Sequence, residues 1–370
     1  MKRVVLLGGG HAHVHLLQDF AREPLAGAEL TLVTPYARQM YSGMVPGLVA
    51  GHYGVDDCVI PLAPLAAAAR VRMVEAAATA LDAGARQVTL SDGQTLGYEL
   101  LSVDTGPVMD RDGLPGAREH GLFVRPIEEF VRHFDTLLAR AADAVLDLAV
   151  VGGGAAGVEL ALALAWRLEH DATLRPGSRV GLVSGGPMPL AGFSARVQQR
   201  ARTALRRARV TVLNDSCVEV LPGQLRLAGG ARVACDLPLI AIGTSAPAWL
   251  APSGLALDER GFIATGPTLQ SLSHAEVLAA GDVATRSDAP HPKSGVYAVR
   301  AGPPLALNLR RLAGGGELAT YRPQQRTLYL LSLGDRRAVA SWRPWSAQGR
   351  WVWRWKDRID RGFIAKYGGG

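Results

Sequence analysis

The apolar run Leu148-Ala149-Val150-Val151 stops at Gly152-x-Gly154-x-x-Gly157 and passes at once into an alanine- and leucine-rich stretch. These residue types at this spacing read as strand, tight turn and helix. The chemistry that such a turn supports is the holding of a diphosphate. The first glycine permits the turn, the second lets backbone approach the pyrophosphate, and the third lets helix and strand pack closely. The helix's positive end then faces the phosphate charge. Gly152, Gly154, Ala155, Ala156 and Gly157 are therefore candidate dinucleotide contacts. Any glycine-rich turn between strand and helix can imitate the pattern, so its context decides, and here both flanks are of the right type.

The chain opens on the same arrangement. Residues 4–7 are an apolar run leading into Gly8-Gly9-Gly10-His11-Ala12-His13, 144 residues before its counterpart. Two such units in one polypeptide indicate two nucleotide-binding domains. In the first, His13 stands where the third glycine would fall, and its side chain is expected to hold helix and strand slightly farther apart, altering binding in detail without abolishing it. His11 and His15 would share a helix face, but no cysteine or carboxylate lies at ligand spacing. The three histidines are expected to face solvent or phosphate at the helix start, and no metal site is expected.

The elements that must position these turns follow along the chain. Residues 29–34 read as the second strand of the first unit. An acidic ribose ligand belongs about twenty residues past the glycines. The chain offers Thr34, Pro35 and then Arg38, which leaves ribose to a hydroxyl or backbone and Arg38 to a phosphate. Residues 41–48 are rich in turn formers yet apolar. They suit either a loop over a cofactor ring, touched by Ser42 and Gly43, or an ordinary buried loop. Residues 71–105 read as short strands turning at Ser91-Asp92-Gly93, the last ending at Thr105-Gly106, where backbone can pass close to a ligand.

Residues 124–147 have the period of an amphipathic helix. Residues 179–184 form a strand ending at Ser184, again without the acid, so NADH and NADPH are not separated. Arg196, Arg200 and Arg202 fit a 2′-phosphate or, more simply, a solvated basic helix face. Residues 239–244 end at Ile242-Gly243, repeating the first unit's strand ending. Residues 277–283 end at Gly281-Asp282, where a carboxylate can accept hydrogen bonds from ribityl hydroxyls, although a plain turn explains the pair equally well. Pro292 and Ser294 then announce a helix to about Leu312. Directed at a flavin, its positive end would stabilise the anionic reduced ring.

Composition sets the frame. The 370 residues suffice for two to three domains, and 48% hydrophobic with 20% charged residues is ordinary for an α/β protein. The start has too short an apolar run for a signal peptide, and no window offers an uninterrupted membrane span, so a cytoplasmic protein is expected. Cys58, Cys217 and Cys235 form no local pair and read as isolated buried thiols. Residues 342–367 differ from the rest. They hold five of the seven tryptophans and seven basic against two acidic residues, carrying +5 of the formal +7. That mixture suits peripheral contact with the inner face of a membrane. The competing reading is a strand and helix packed on the body or in a homodimer contact. No nucleic-acid motif accompanies the charge.

Gly8-x-Gly10, Thr105-Gly106, Gly152-x-Gly154-x-x-Gly157-x-Glu159, Ile242-Gly243 and Gly281-Asp282, in that order over 1–312, resemble the two-dinucleotide-binding-domain flavoproteins. These are the pyridine nucleotide-disulfide oxidoreductase superfamily. Within it the chain is similar to the branch of type II NADH dehydrogenases and sulfide:quinone reductases, most closely the group found fused to selenide, water dikinase. The resemblance implies an α/β fold of two Rossmann-like domains plus a small C-terminal segment. An FAD domain (1–112 and 247–318) is interrupted by an NAD(P)H domain (113–246), and 319–370 form the segment. It implies FAD across the first unit and NAD(P)H as co-substrate. Pro292-Lys293-Ser294-Gly295 is similar to the segment carrying the flavin's pyrimidine edge in sulfide:quinone reductases, which adds Lys293, Gly295, Val296 and Tyr297 to the cofactor contacts. Glu159 matches the family glutamate near the nicotinamide amide, although helix-start electrostatics would also explain it. Lys293 and Glu159 are the candidates for catalytic positions.

No redox-active cysteine pair sits in a matching motif. The implied activity is hydride transfer from NAD(P)H to FAD and onward to a quinone or other small acceptor. A sulfur- or selenium-compound oxidoreductase is one alternative. A flavin-binding sensor or interaction protein with an unproductive NAD(P)H site is another, kept open by the missing acids.

Overall fold

Lys2–Leu7 and Asp147–Val151, the strands leading into the two glycine turns, carry apolar residues at successive positions. Both faces of such a strand must be covered, which is the signature of a strand inside a parallel sheet. The computed structural model describes residues 1–368 and places each at the centre of a five-stranded sheet. The first sheet runs Val277–Ala279, Leu100–Val103, Lys2–Leu7, Ala28–Thr34, Arg72–Glu75, all parallel. The second runs Leu122–Phe123, Leu237–Ile240, Asp147–Val151, Arg179–Val183, Thr211–Leu213, also parallel throughout. The plan is the same twice over, and Val277–Ala279 returns from beyond the second sheet to complete the first.

The first sheet is covered by His11–Arg22 packed on Gly295–Gly314, where Leu16, Leu17 and Phe20 meet Ala301, Leu305 and Leu309. Each fully buried leucine contributes about 1.5–3 kcal/mol. The expected helix over 124–147 is shorter, Ile127–Asp143: it starts after Pro126, and the chain is extended again at Ala144 ahead of the strand Asp147–Val151. Each unit also carries a three-stranded antiparallel sheet. That of the first, Ala78–Asp82, Gln87–Leu90 and Thr95–Gly97, turns at Gly93 with φ 84°. That of the second, Cys217–Leu221, Gln224–Leu227 and Arg232–Ala234, escaped the sequence reading although its turn glycines Gly223 and Gly230 are plain in the chain. The two connectors between the units pair through Val108 and Ser245, whose N–H groups each donate to the other's carbonyl at 3.0 and 2.8 Å.

The C-terminal segment is an antiparallel sheet, Tyr329–Ser332, Ala338–Trp342 and Trp345–Gly349, followed by the helix Arg350–Tyr367. One face of this segment is packed and the other is exposed. Val352 is buried against the segment's own sheet, and Lys356, Asp360 and Tyr367 are buried on the side facing the body, while Trp342, Trp345, Trp351, Trp355 and Ile359 are 37–53% exposed. Among the described residues no helix is long and apolar enough to cross a membrane.

Candidate functional site

At the C-terminal ends of the first sheet lies a cavity of about 780 Å³. In open α/β sheets ligands bind at this end, and the volume lies within the range of cofactor sites. Its lining joins Gly8, Gly9, Gly10 and His11 to Thr34, Pro35, Arg38 and Ser42, then to Thr105, Gly106, Asp282 and Gly295. Twelve candidate contacts scattered over 288 residues thus meet in one place.

The turn explains why glycine is needed there. Gly8 has φ +96°, and a Cβ on it would lie 2.5 Å from the Asp104 carbonyl oxygen; one on Gly9 would lie 2.5 Å from Leu62 Cδ1. The backbone is thereby pressed between the end of the strand Leu100–Val103 and the first residue of the helix Leu62–Ala68, while it also lines the cavity.

His13 corrects the sequence reading. It neither faces solvent nor lines the cavity: it is fully buried, its Nδ1 2.6 Å from the Gly8 carbonyl oxygen and its Nε2 2.8 Å from Ser102 Oγ. A carbonyl only accepts, so Nδ1 carries the proton and Nε2 accepts from the serine hydroxyl. Burial lowers its pKa to about 4, keeping the ring neutral. His11 does line the cavity. Its Nδ1 meets Gln39 Nε2 at 2.9 Å, while its buried Nε2 and Gln39 Oε1 have no partner. His15 Nδ1 lies 3.1 Å from the Tyr367 hydroxyl.

Among the lining residues that no motif marked in the sequence, two stand out. Asp104 ends the strand Leu100–Val103 and turns its carboxylate onto the helix start, where Oδ2 accepts the N–H groups of Ala12 at 2.7 Å and His13 at 3.0 Å. Burial drives its pKa up to about 8 against those hydrogen bonds. Gly281, φ +71°, is glycine because a Cβ would lie 2.5 Å from Asp104 Oδ1. A strand-end Asp before Thr-Gly was the only available signal. The other is Arg125, a half-buried guanidinium that makes no ion pair among the described residues and is held below its ordinary pKa range by desolvation, with Asp282 opposing. Burial raises the pKa of Asp282 itself.

Other candidates are placed differently. Arg38 lines the cavity but is engaged: its Nε and Nη2 donate to Glu128 of the second unit at 3.0–3.2 Å. Lys293, in the loop before Gly295–Gly314, reaches back to the strand Ala284–Arg286, donating to the Ala284 carbonyl at 2.5 Å and to Thr285 Oγ1 at 2.8 Å, with its Nζ over the Phe262 ring; burial lowers its pKa to about 8. Val296 is exposed, and Tyr297 turns toward Thr327. Gly43 offers its carbonyl to Lys356 Nζ at 2.6 Å. Ala12 is buried beneath Asp104.

In the second unit, Gly152 has φ +134° and a Cβ on Gly157 would lie 1.8 Å from the Gly152 carbonyl oxygen. Ala155 and Ala156 open a helix without a side-chain cap. A Cβ added at Gly154 or Gly243 would meet nothing within 4 Å, so the crevice in front of Ile242 is open. Ser184 Oγ donates to the Gly186 carbonyl at 2.6 Å. Arg196 and Arg202 lie on the exposed face of Ala195–Arg207, opposite buried Val197, Ala201 and Leu205. Glu159 is half-buried and accepts the Ser332 N–H at 2.7 Å; desolvation raises its pKa to about 7, opposed by Lys356.

Of the thiols, Cys58 and Cys235 are buried and pushed up to about 12, Cys217 is half-buried, and none lines the cavity. Cys217 and Cys235 share one core cluster, so they are less isolated than their sequence spacing suggests.

A glycine turn used twice on two parallel sheets, with a cavity of cofactor size before the first, defines a two-nucleotide flavoprotein architecture. The chain belongs to the pyridine nucleotide-disulphide oxidoreductase family, whose model matches residues 2–302. It is 30% identical over 305 residues to an NADH dehydrogenase-like protein of Mycobacterium tuberculosis, covering 79% of this chain and 75% of the relative. It is 26% identical over 301 residues to a demethylphylloquinone reductase of Synechocystis, covering 78% and 73%. Its fold is similar to that of the sulfide:quinone oxidoreductase of Aquifex aeolicus (TM-score 0.81, 17% identity, 100% of this chain and 92% of the other). It is also similar to NDH2 of Plasmodium falciparum in complex with NADH (TM-score 0.79, 13% identity, 99% of each chain).

Proposed function

We propose that this protein is an FAD-dependent NAD(P)H oxidoreductase that passes electrons to a quinone. The observation that carries the reading is the 780 Å³ cavity before the first glycine turn, with the second turn open for another nucleotide. The unpartnered Nε2 of His11 and Oε1 of Gln39, and a turn too tight for any Cβ, fit a large polar cofactor. When bound, FAD supplies the two-electron chemistry joining NAD(P)H oxidation to acceptor reduction.

The chain's part is to bind and orient. Gly8 and Gly9 keep backbone near the diphosphate, Asp282 accepts from hydroxyls, and Arg125 supplies the positive charge. The uncapped N–H groups of Ala155 and Ala156 would take the diphosphate of NAD(P)H. The quinone acceptor rests on the relatives' names and on a cavity lining without cysteine, which leaves no thiol placed for the sulfur chemistry of the alternative. We propose further that the chain divides at 112/113, 246/247 and 318/319.

Anaerobic mixing of the flavin-loaded protein with NADH and NADPH tests the reading. The flavin absorbance should bleach with at least one and return when a quinone is added; unchanged absorbance with both nucleotides would sink it. We infer also that the protein rests on a membrane surface through Trp342, Trp345, Trp351 and Trp355, since interfacial tryptophan interleaved with arginine is suited to that boundary. Flotation with anionic liposomes should be lost in W351A/W355A, and equal flotation of variant and parent would remove the proposal.

A further inference from the structure

A second cleft, of about 810 Å³, shares no lining residue with the cofactor cavity. It forms where three distant segments meet: the turn at Gly51 and His52, the end of the helix Ala155–His170, and the C-terminal sheet and helix at Arg336, Arg350, Trp353 and Arg354. Its walls are aromatic, with His52 5.8 Å from Trp353 and 6.1 Å from Trp166 between ring centroids. Gly51, at φ +74°, is glycine because a Cβ would lie 2.3 Å from Arg167 Nη1.

The charge in this cleft is out of balance. Four arginines line it against Asp171 and Asp335. Both acids are already engaged, Asp171 by Arg167 at 2.7 Å and by Thr173, Asp335 by Arg337, which stands outside the cleft. Arg350 and Arg354 make no ion pair or side-chain hydrogen bond among the described residues, and Arg336 has only His52 Nδ1 at 3.4 Å. Arg350 and Arg354 also stand on the first turns of the helix Arg350–Tyr367, whose N-terminus has no acidic residue and no side-chain cap. Helix starts favour negative charge, so cations gathered there are mutually unfavourable until an anion joins them. Exposed cations without ion-pair partners, a helix start without a side-chain cap and aromatic walls together describe a receptor for a phosphate group.

We propose that this cleft is a phosphate-binding site, independent of the redox cavity, in which Arg336, Arg350 and Arg354 hold a phosphate mono- or diester against Trp353. Two sources present that chemistry: an anionic lipid headgroup, whose chains would lie along the exposed row Trp351, Trp355 and Ile359 on the same helix, and a phosphate free in solution.

The test uses the full-length, flavin-loaded protein, followed by calorimetry and by tryptophan emission, since Trp166 and Trp353 line the cleft. The probes are inorganic phosphate and dihexanoylphosphatidylglycerol below its micelle concentration. Saturable binding of either is expected, weakening with added salt. It should fall by about tenfold or more in R350A/R354A, with flavin content and helicity unchanged. Saturation by inorganic phosphate assigns the free ion, and saturation by the lipid alone assigns the headgroup. Failure of both probes to saturate overturns the proposal, as does undiminished affinity in the double variant.

Discussion

At the second glycine turn a Cβ on Gly157 would lie 1.8 Å from the Gly152 carbonyl oxygen, whereas the same place in the first turn holds the whole imidazole of His13. The conflict at this position is with one carbonyl. Given an N–H donor, that carbonyl becomes a hydrogen-bond partner instead of an obstacle, and Ser102 beneath completes the ring's bonding. The strand ends beside the turns differ as well. The carbonyls that press on Gly8 and Gly152 belong to Asp104 and Ala241. In the first unit a carboxylate therefore occupies the N–H groups of Ala12 and His13, while in the second the helix start stays open. One turn is closed around its own side chains and suits a resident cofactor. The other is bare and suits a nucleotide that comes and goes.

The comparison breaks most sharply at the glycines. Gly157→Ala should cut flavin reduction by NADH about 100-fold or more while flavin stays bound, and Gly8→Ala should instead empty the flavin site. Stopped-flow absorbance and flavin content check the two, and the same defect in both variants would deny the division of labour. Next comes His13→Gly, which restores the missing glycine. If the ring is structural, denaturant unfolding should show a loss of about 2–4 kcal/mol, from the cavity and from the orphaned Gly8 carbonyl and Ser102 hydroxyl. A gain in stability would show that the glycine pattern, and not the hydrogen bonds, governs the turn.

Asp104→Asn sharpens the second difference. The folded-state pKa of Asp104, about 8, lies above its ordinary 3.8, so folding favours the protonated form. That stabilisation is complete below about pH 4 and is lost as pH rises through 8. Asparagine removes the dependence, so the variant should gain on the parent between pH 5 and 8, by the order of 1–2 kcal/mol at the upper end. Parallel melting curves of the two proteins across that range would refute it. The smallest effect belongs to Arg38→Gln. The Arg38–Glu128 pair, 42% and 13% exposed, spans the two units at the cavity rim. Its loss should shift stability by less than about 1 kcal/mol. A larger change would mean that the rim holds the units together more than the paired connectors do.

Much of the site could be read from the chain because it is made of backbone. Glycine turns, strand ends at Thr105-Gly106 and Gly281-Asp282, and the helix beginning at Gly295 are local events with local composition. Side chains reaching across the fold were harder to read. Asp104 and Arg125 carry no motif, and Lys293 sits in the expected segment yet turns to Ala284 and Thr285. Tyr297 likewise belongs to the right helix but to its far face.

By itself the sequence determined two parallel units, their order and the end of each at which a ligand sits, since apolar runs and glycine spacing act over a few residues. Only the tertiary structure decided that His13 is buried and neutral, that Asp104 caps the first helix, and that Arg38 is spent on Glu128. It also decided that Arg336, Arg350 and Arg354 gather around an aromatic cleft. Each of these depends on a partner about 90 residues or more away in the chain or on a neighbour's burial. A side chain's charge and bonding are set by what the fold brings beside it, which no local pattern records.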